Sequence, residues 1–123
     1  MKYDFKKQMR SFGYAWKGIG SCVGHEQNLS FHLITAVVVV IMGFCFDISR
    51  IEWIIVTGCI GVVIAAELFN SAVENLVDLV SPEYHPLAGR VKDIAAGAVL
   101  VSAVSAAIVG LLVFIPYLRC ICL

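Results

Sequence analysis

Residues 51–80 read IEWIIVTGCIGVVIAAELFNSAVENLVDLV, and this stretch decides the fold. From Trp53 to Ala66 it is uncharged and long enough, with its neighbours, to enter a bilayer as a helix. It then keeps helical periodicity while acquiring Glu67, Asn70, Glu74 and Asp78, until Ser81 and Pro82 end it. At about 100° per residue, Glu67, Asn70, Ser71, Glu74 and Asp78 stand at about 0°, 300°, 40°, 340° and 20°, one face of one helix. Leu68, Phe69, Val73, Leu76, Val77 and Val80 keep the other faces apolar. Each Asp or Glu deep in a membrane helix costs about 2.5 to 3.5 kcal/mol, so this face cannot meet lipid. It must point into protein, where a cation, a basic side chain or protons answer its charge.

Two further apolar segments flank this one. Leu33 to Phe46 carries no charge and reaches back through His32 and Phe31, and Ile94 to Leu118 is uncharged throughout. Ahead of them, Phe5, Met9, Phe12, Trp16, Ile19 and Val23 recur every three or four residues among lysines, the pattern of an amphipathic helix. Lys2, Lys6, Lys7, Arg10 and Lys17 suit it to an interface with anionic headgroups; it lacks the uninterrupted apolar core of a signal peptide. The expected architecture is an all-α membrane protein of one domain. It has an N-terminal amphipathic interfacial helix over residues 1–27 and three transmembrane helices over 29–48, 51–80 and 93–118.

Composition agrees. Of 123 residues, 60% are hydrophobic and 15% charged, which together exclude a soluble sheet-based nucleotide enzyme. The formal net charge of zero gives no footing for nucleic acid. The five cysteines form no CxxC pair and suggest neither a disulfide framework nor a zinc site. Five of the nine basic residues precede the first span, so the positive-inside rule places the N-terminus in the cytoplasm. The loop from Ser81 to Asp93 then faces the cytoplasm too, and the closing Cys120-Ile-Cys-Leu123, formally a prenylation box, falls on the wrong side to be one. Small residues at Ala98, Ser102, Ala106 and Gly110, and at Gly58, Gly61 and Ala65, would let another backbone come close.

Carboxylates gathered beside Lys92 at one membrane face, with Glu26 and Asp93 at the same depth, form a reasonable Mg²⁺ and phosphate site. Phosphoryl transfer needs little beyond a metal, a cation on the phosphates and a carboxylate to take the hydroxyl proton. No GxxxxGK[ST] loop is present, so any nucleotide is held by another kind of site. The competing expectation is a transporter subunit using Glu67, Glu74 and Asp78 as a proton or cation relay. It is weakened because no acid lies in the first span or in the third beyond Asp93. His25 and His32 have no metal-ligand spacing, and His85, between Tyr84 and Pro86, reads as a loop histidine.

The run Glu67-Leu-Phe-Asn70-Ser71-Ala-Val-Glu74-Asn-Leu-Val-Asp78 resembles the signature of the small bacterial membrane diacylglycerol kinase and undecaprenol kinase family. Ala15-Trp16-Lys17-Gly18, Glu26, Glu83-Tyr84-His85 and Gly89-Arg90-Val-Lys92-Asp93 match further motifs in the same order, so the resemblance spans nearly the whole chain. It implies a homotrimer in the bacterial cytoplasmic (inner) membrane, with active sites shared between subunits and an ATP-dependent lipid kinase activity. By that resemblance Glu67 is the catalytic base, Asn70 an active-site polar residue, and Glu26 and Glu74 the carboxylates that hold Mg²⁺ on ATP. Tyr14, Glu83, Tyr84, His85, Lys92 and Asp93 match nucleotide-contacting positions alongside Glu26 and Glu74, and Trp16, Asn28 and Glu67 fall where the lipid alcohol is met. Glu26-Gln-Asn28-Leu-Ser-Phe-His32, His85-Pro86 and Phe114-Ile-Pro116 look like the undecaprenol branch, whereas Glu83-Tyr84-His85 and Gly89-Arg90 look like the diacylglycerol branch. The balance tilts slightly to undecaprenol.

Overall fold

The structure, a computed structural model, describes residues 2–123. Its elements are all α-helices: α1 (Phe5–Cys22), α2 (Gln27–Cys45), α3 (Arg50–Val80) and α4 (Pro86–Cys122). The last three are each long and apolar enough to cross a membrane. At about 1.5 Å rise per residue, α3 and α4 run about 46 and 55 Å, well past a hydrocarbon layer of about 30 Å. Their ends therefore reach beyond the acyl chains even when tilted.

Local chemistry sets where each helix starts. Asp4 caps α1, its Oδ1 accepting the Lys7 N–H at 3.2 Å. Between α1 and α2 the chain turns through Gly24, whose φ of 81° suits a residue without Cβ. Ser49 and Glu52 form a reciprocal capping box at the start of α3: the Glu52 N–H donates to Ser49 Oγ at 3.2 Å and the Ser49 N–H to Glu52 Oε2 at 2.8 Å. α4 starts at Pro86, seven residues ahead of the position expected from hydropathy. Proline is at home in a first helical turn, where its fixed φ fits and its missing N–H would have no partner. His85 Nδ1 caps that turn by accepting the Leu87 N–H at 3.1 Å. The expected loop from Ser81 to Asp93 thus shrinks to Ser81–His85, and Lys92 and Asp93 are helical. Residues 5–22 of the expected 1–27 segment form α1; residue 1 lies outside the described residues.

α3 and α4 pack antiparallel along their length. Tyr117 Oη donates to Glu52 Oε2 at 2.6 Å near one end, and Lys92 pairs with Asp78 near the other. Twenty-six residues separate the two α3 partners and 25 the two α4 partners, so the helices stay in step between these clasps. α2 packs on α3, and α1 also touches α3. A small core of Ile48, Val56, Val113 and Phe114 closes the end near the α2–α3 turn, with Met42, Phe46 and Trp53 against it. Gly43 is the closest crossing there: a Cβ would meet Trp53 Cη2 and Cζ2 at 2.6 and 2.8 Å. The glycines of the small-residue ladders do not play that part within the chain, since nothing lies within 4 Å of a Cβ built at Gly58, Gly61 or Gly110.

The remaining apolar surface is large. Phe44, Phe69 and Leu112, spread over three helices, are each more than 70% exposed. Soluble monomers do not carry continuous apolar surface of this extent, whereas a bilayer solvates it. The chain is a multi-pass membrane protein.

Candidate active site

Among the described residues, the buried polar side chains are Glu67, Asn70 and Ser71, with relative exposures of 2%, 6% and 2%. Their spacing of three and four residues puts them on one face of α3, which turns towards the protein. One turn further, Glu74 is half-buried, and Asp78 is exposed at the end of the row. The face therefore grades from enclosed to open along the helix. Measured from Arg50, Glu67 lies about 25 Å along the axis and Glu74 about 36 Å, so the row lies towards the far end of a helix longer than a 30 Å hydrocarbon layer.

Three contacts organise this face. Asn70 Nδ2 donates to Glu74 Oε1 at 3.2 Å, an i to i+4 link along the helix. Asn70 Oδ1 is buried with no hydrogen-bond partner in the chain. A buried amide oxygen without a donor costs about 1 to 3 kcal/mol, which makes Oδ1 the unmatched acceptor of this face. From α2, His32 Nε2 lies 3.2 Å from Glu67 Oε1. Glu26 is half-buried just ahead of α2, the helix that carries His32.

The expected site residues divide into two groups. Glu67, Asn70 and Glu74 share one face of α3, and Glu26 stands just ahead of α2, the helix that brings His32 to Glu67. Tyr14, Trp16, Asn28, Glu83, Tyr84, His85 and Asp93 face outward from the single chain. Among these, His85 is committed as the cap of α4, and the Glu83 carbonyl accepts Ser81 Oγ–H at 3.0 Å. Lys92 sits at the open end of the acidic row with Asp78 as its partner. His32 is the residue that sequence reading passed over. A signal was present, because an imidazole beside an uncharged membrane segment must find protein for the same reason that Glu67 must.

Beside this cluster, an apolar groove of about 570 Å³ runs along α3 between α2 and α4. Its lining includes Ala36, Val63, Ala107 and Phe114, and His32 forms part of its wall. One ring thus borders both the groove and the Glu67 carboxylate. No three His, Cys, Asp or Glu side chains among the described residues converge as a metal cage. The donors present are carboxylate and amide oxygens, the set that suits a hard ion bringing its own phosphate and water ligands.

Comparison with known proteins follows the same lines. Residues 13–114 match the family model described as prokaryotic diacylglycerol kinase. The chain is 44% identical to the undecaprenol kinase of Bacillus subtilis, over 94% of both chains. It is 38% identical to the diacylglycerol kinase of Synechocystis, over 86% of this chain and 61% of that one. With the diacylglycerol kinase of Escherichia coli K12 it shares 30% identity over 85% of each. With a match covering most of its helices and both ends of the acidic face, the chain belongs to the prokaryotic diacylglycerol kinase family.

Proposed function

We propose that this membrane lipid kinase transfers the γ-phosphate of Mg·ATP to the hydroxyl of a long-chain lipid alcohol, with undecaprenol favoured over diacylglycerol. The lipid kinase class follows from the family. The observation that carries the mechanism is the enclosed Glu67, on one helix face with Asn70 and Glu74 and held from α2 by His32. Greater similarity to an undecaprenol kinase than to two diacylglycerol kinases supports the acceptor.

In this reading Glu67 takes the proton from the lipid hydroxyl. The lipid oxygen forms a bond to the γ-phosphorus as the bond to the β–γ bridging oxygen breaks, and ADP leaves with that oxygen. Glu26 and Glu74 would hold Mg²⁺, which when bound neutralises charge on the phosphates. Asn70 keeps Glu74 aimed by its amide and offers Oδ1 to an incoming donor. Lys92 keeps two N–H donors beyond the one that Asp78 engages, and these would serve phosphate oxygens. Tyr14, Glu83, Tyr84, His85 and Asp93 would contact the nucleotide, and Trp16 and Asn28 the lipid. Because these face outward from a single chain, a homotrimer with sites shared between neighbours accounts for how they reach the cluster.

In this reading α1 lies at the cytoplasmic interface of a bacterial inner membrane with the N-terminus inside, a placement that its basic residues support. The acidic end of α3 then opens towards cytoplasmic ATP. The relay reading has no such support: the ionisable side chains of α3 between Glu67 and Asp78 lie towards one end, and the family is one of kinases. Labelled phosphate transfer from ATP to a panel holding undecaprenol and diacylglycerol tests the reading. Mg²⁺-dependent labelling of undecaprenol ahead of diacylglycerol is expected. Labelling of diacylglycerol alone would overturn the acceptor, and labelling of neither would overturn the reaction.

A further inference from the structure

We propose that His32 is a positioning residue for Glu67: its imidazole holds Oε1 and so leaves Oε2 as the oxygen that meets the lipid hydroxyl. The inference rests on the reading of Glu67 as the base. Glu67 is 2% exposed, and among the described residues the one side chain within hydrogen-bonding reach of its carboxylate is His32, at 3.2 Å. The acidic side chains of the same region, Glu74 on α3 and Glu26 just ahead of α2, have no donor to offer as carboxylates. A carboxylate enclosed without a donor is costly and has no reason to keep one rotamer. His32 brings a ring nitrogen to that distance from a different helix. Its Nε2–H donates in the imidazolium and in one neutral tautomer, so the contact does not require a charged ring.

Two features fix the ring itself. The Phe31 ring meets the imidazole edge to face, with centroids 5.5 Å apart and planes at 72°. Its other border is the apolar groove, which offers no competing acceptor along Ala36, Val63 or Ala107 side chains. Since the ring stands on the groove side, away from the Asn70–Glu74 link, its loss should slow the chemical step and leave nucleotide affinity alone.

The test compares His32→Leu and His32→Gln, each with Glu67 and with Glu67→Gln, in micelles containing undecaprenol. His32→Leu should lower kcat about tenfold to a hundredfold with the ATP KM changed less than about twofold. His32→Gln, whose amide can reach Glu67, should recover kcat to within about fivefold of wild type. In the Glu67→Gln background, where no base remains to be aimed, His32→Leu should change the residual rate less than about twofold. An unchanged kcat in His32→Leu, an equal loss in both backgrounds, or a His32→Gln enzyme as slow as His32→Leu would each overturn the proposal. If His32→Leu does not fold, His32→Gln against His32→Asn, one carbon shorter, decides it: equal rates overturn the proposal, and a slower Asn enzyme supports it. Full activity in Glu67→Gln alone would instead overturn the underlying base assignment.

Discussion

Where Glu52 meets Tyr117, α3 and α4 are joined by a 2.6 Å hydrogen bond and a core of Ile48, Val56, Val113 and Phe114, and α3 begins there in a reciprocal helix cap. At the other end of the same pair Lys92 clasps an exposed Asp78, Asn70 Oδ1 has no partner, and Glu67 is enclosed with His32 Nε2 3.2 Å away. One end satisfies its polar groups within the chain, and the other leaves them to be satisfied from outside. Stability and reactivity are thus separated along a single pair of helices, as expected when a site must keep unmet charge and unused acceptors. Substitutions at the two ends should accordingly fail in different ways.

The largest effect should come from the reactive end. Glu67→Gln keeps the shape and removes the base, so kcat should fall by about 10² to 10⁴ while the thermal midpoint in detergent holds or rises. A matching fall in midpoint would mean that Glu67 serves the fold. At the packed end, Gly43→Ala drives a methyl into the Trp53 ring and should cost about 1 to 3 kcal/mol of stability, read from unfolding in mixed micelles. The kcat of the protein that remains folded should not change. Back at the reactive end, Glu74→Gln should raise the Mg²⁺ concentration for half-maximal rate by roughly tenfold, and Glu26→Gln likewise. Mg²⁺ titration of the initial rate measures this, and an unshifted midpoint would remove that residue as a ligand. The smallest effects belong to the two clasps. Asp78→Asn breaks an exposed pair and should cost less than about 1 kcal/mol, and Tyr117→Phe should lower the midpoint slightly without touching the ATP KM.

Features that live on one helix were readable from the sequence. The uncharged runs pointed to three spanning helices, and the angular clustering of Glu67, Asn70, Ser71, Glu74 and Asp78 pointed to one face, which is enclosed at Glu67, Asn70 and Ser71 and open at Asp78. Features made by two helices were not readable. The His32–Glu67 contact joins positions 35 residues apart, and no periodicity on α2 announces which side chain α3 will receive. The early start of α4 escaped hydropathy because Leu87 to Asp93 is polar enough to pass for loop, whereas Pro86 and the His85 cap decide the boundary locally. Gly43 escaped for a related reason: a ladder of small residues is visible in a sequence, but a single glycine under an indole ring is not. The outward-facing Tyr14, Glu83, Tyr84 and Asp93 show the same limit one level higher, since their convergence would need a second copy of the chain.

The central claim, that nucleotide-borne metal binds at the Glu74 end and nowhere near the Glu52 end, is open to a distance measurement. With Cys22, Cys45, Cys59, Cys120 and Cys122 replaced, a nitroxide is placed at Ser81 or at Asp47, and Mn²⁺ is added with a non-hydrolysable ATP analogue. Along α3, Glu74 stands about 10 Å from the first position and about 40 Å from the second. The account predicts strong relaxation of the label at Ser81 and almost none at Asp47; equal relaxation at both, or the reverse, would contradict it.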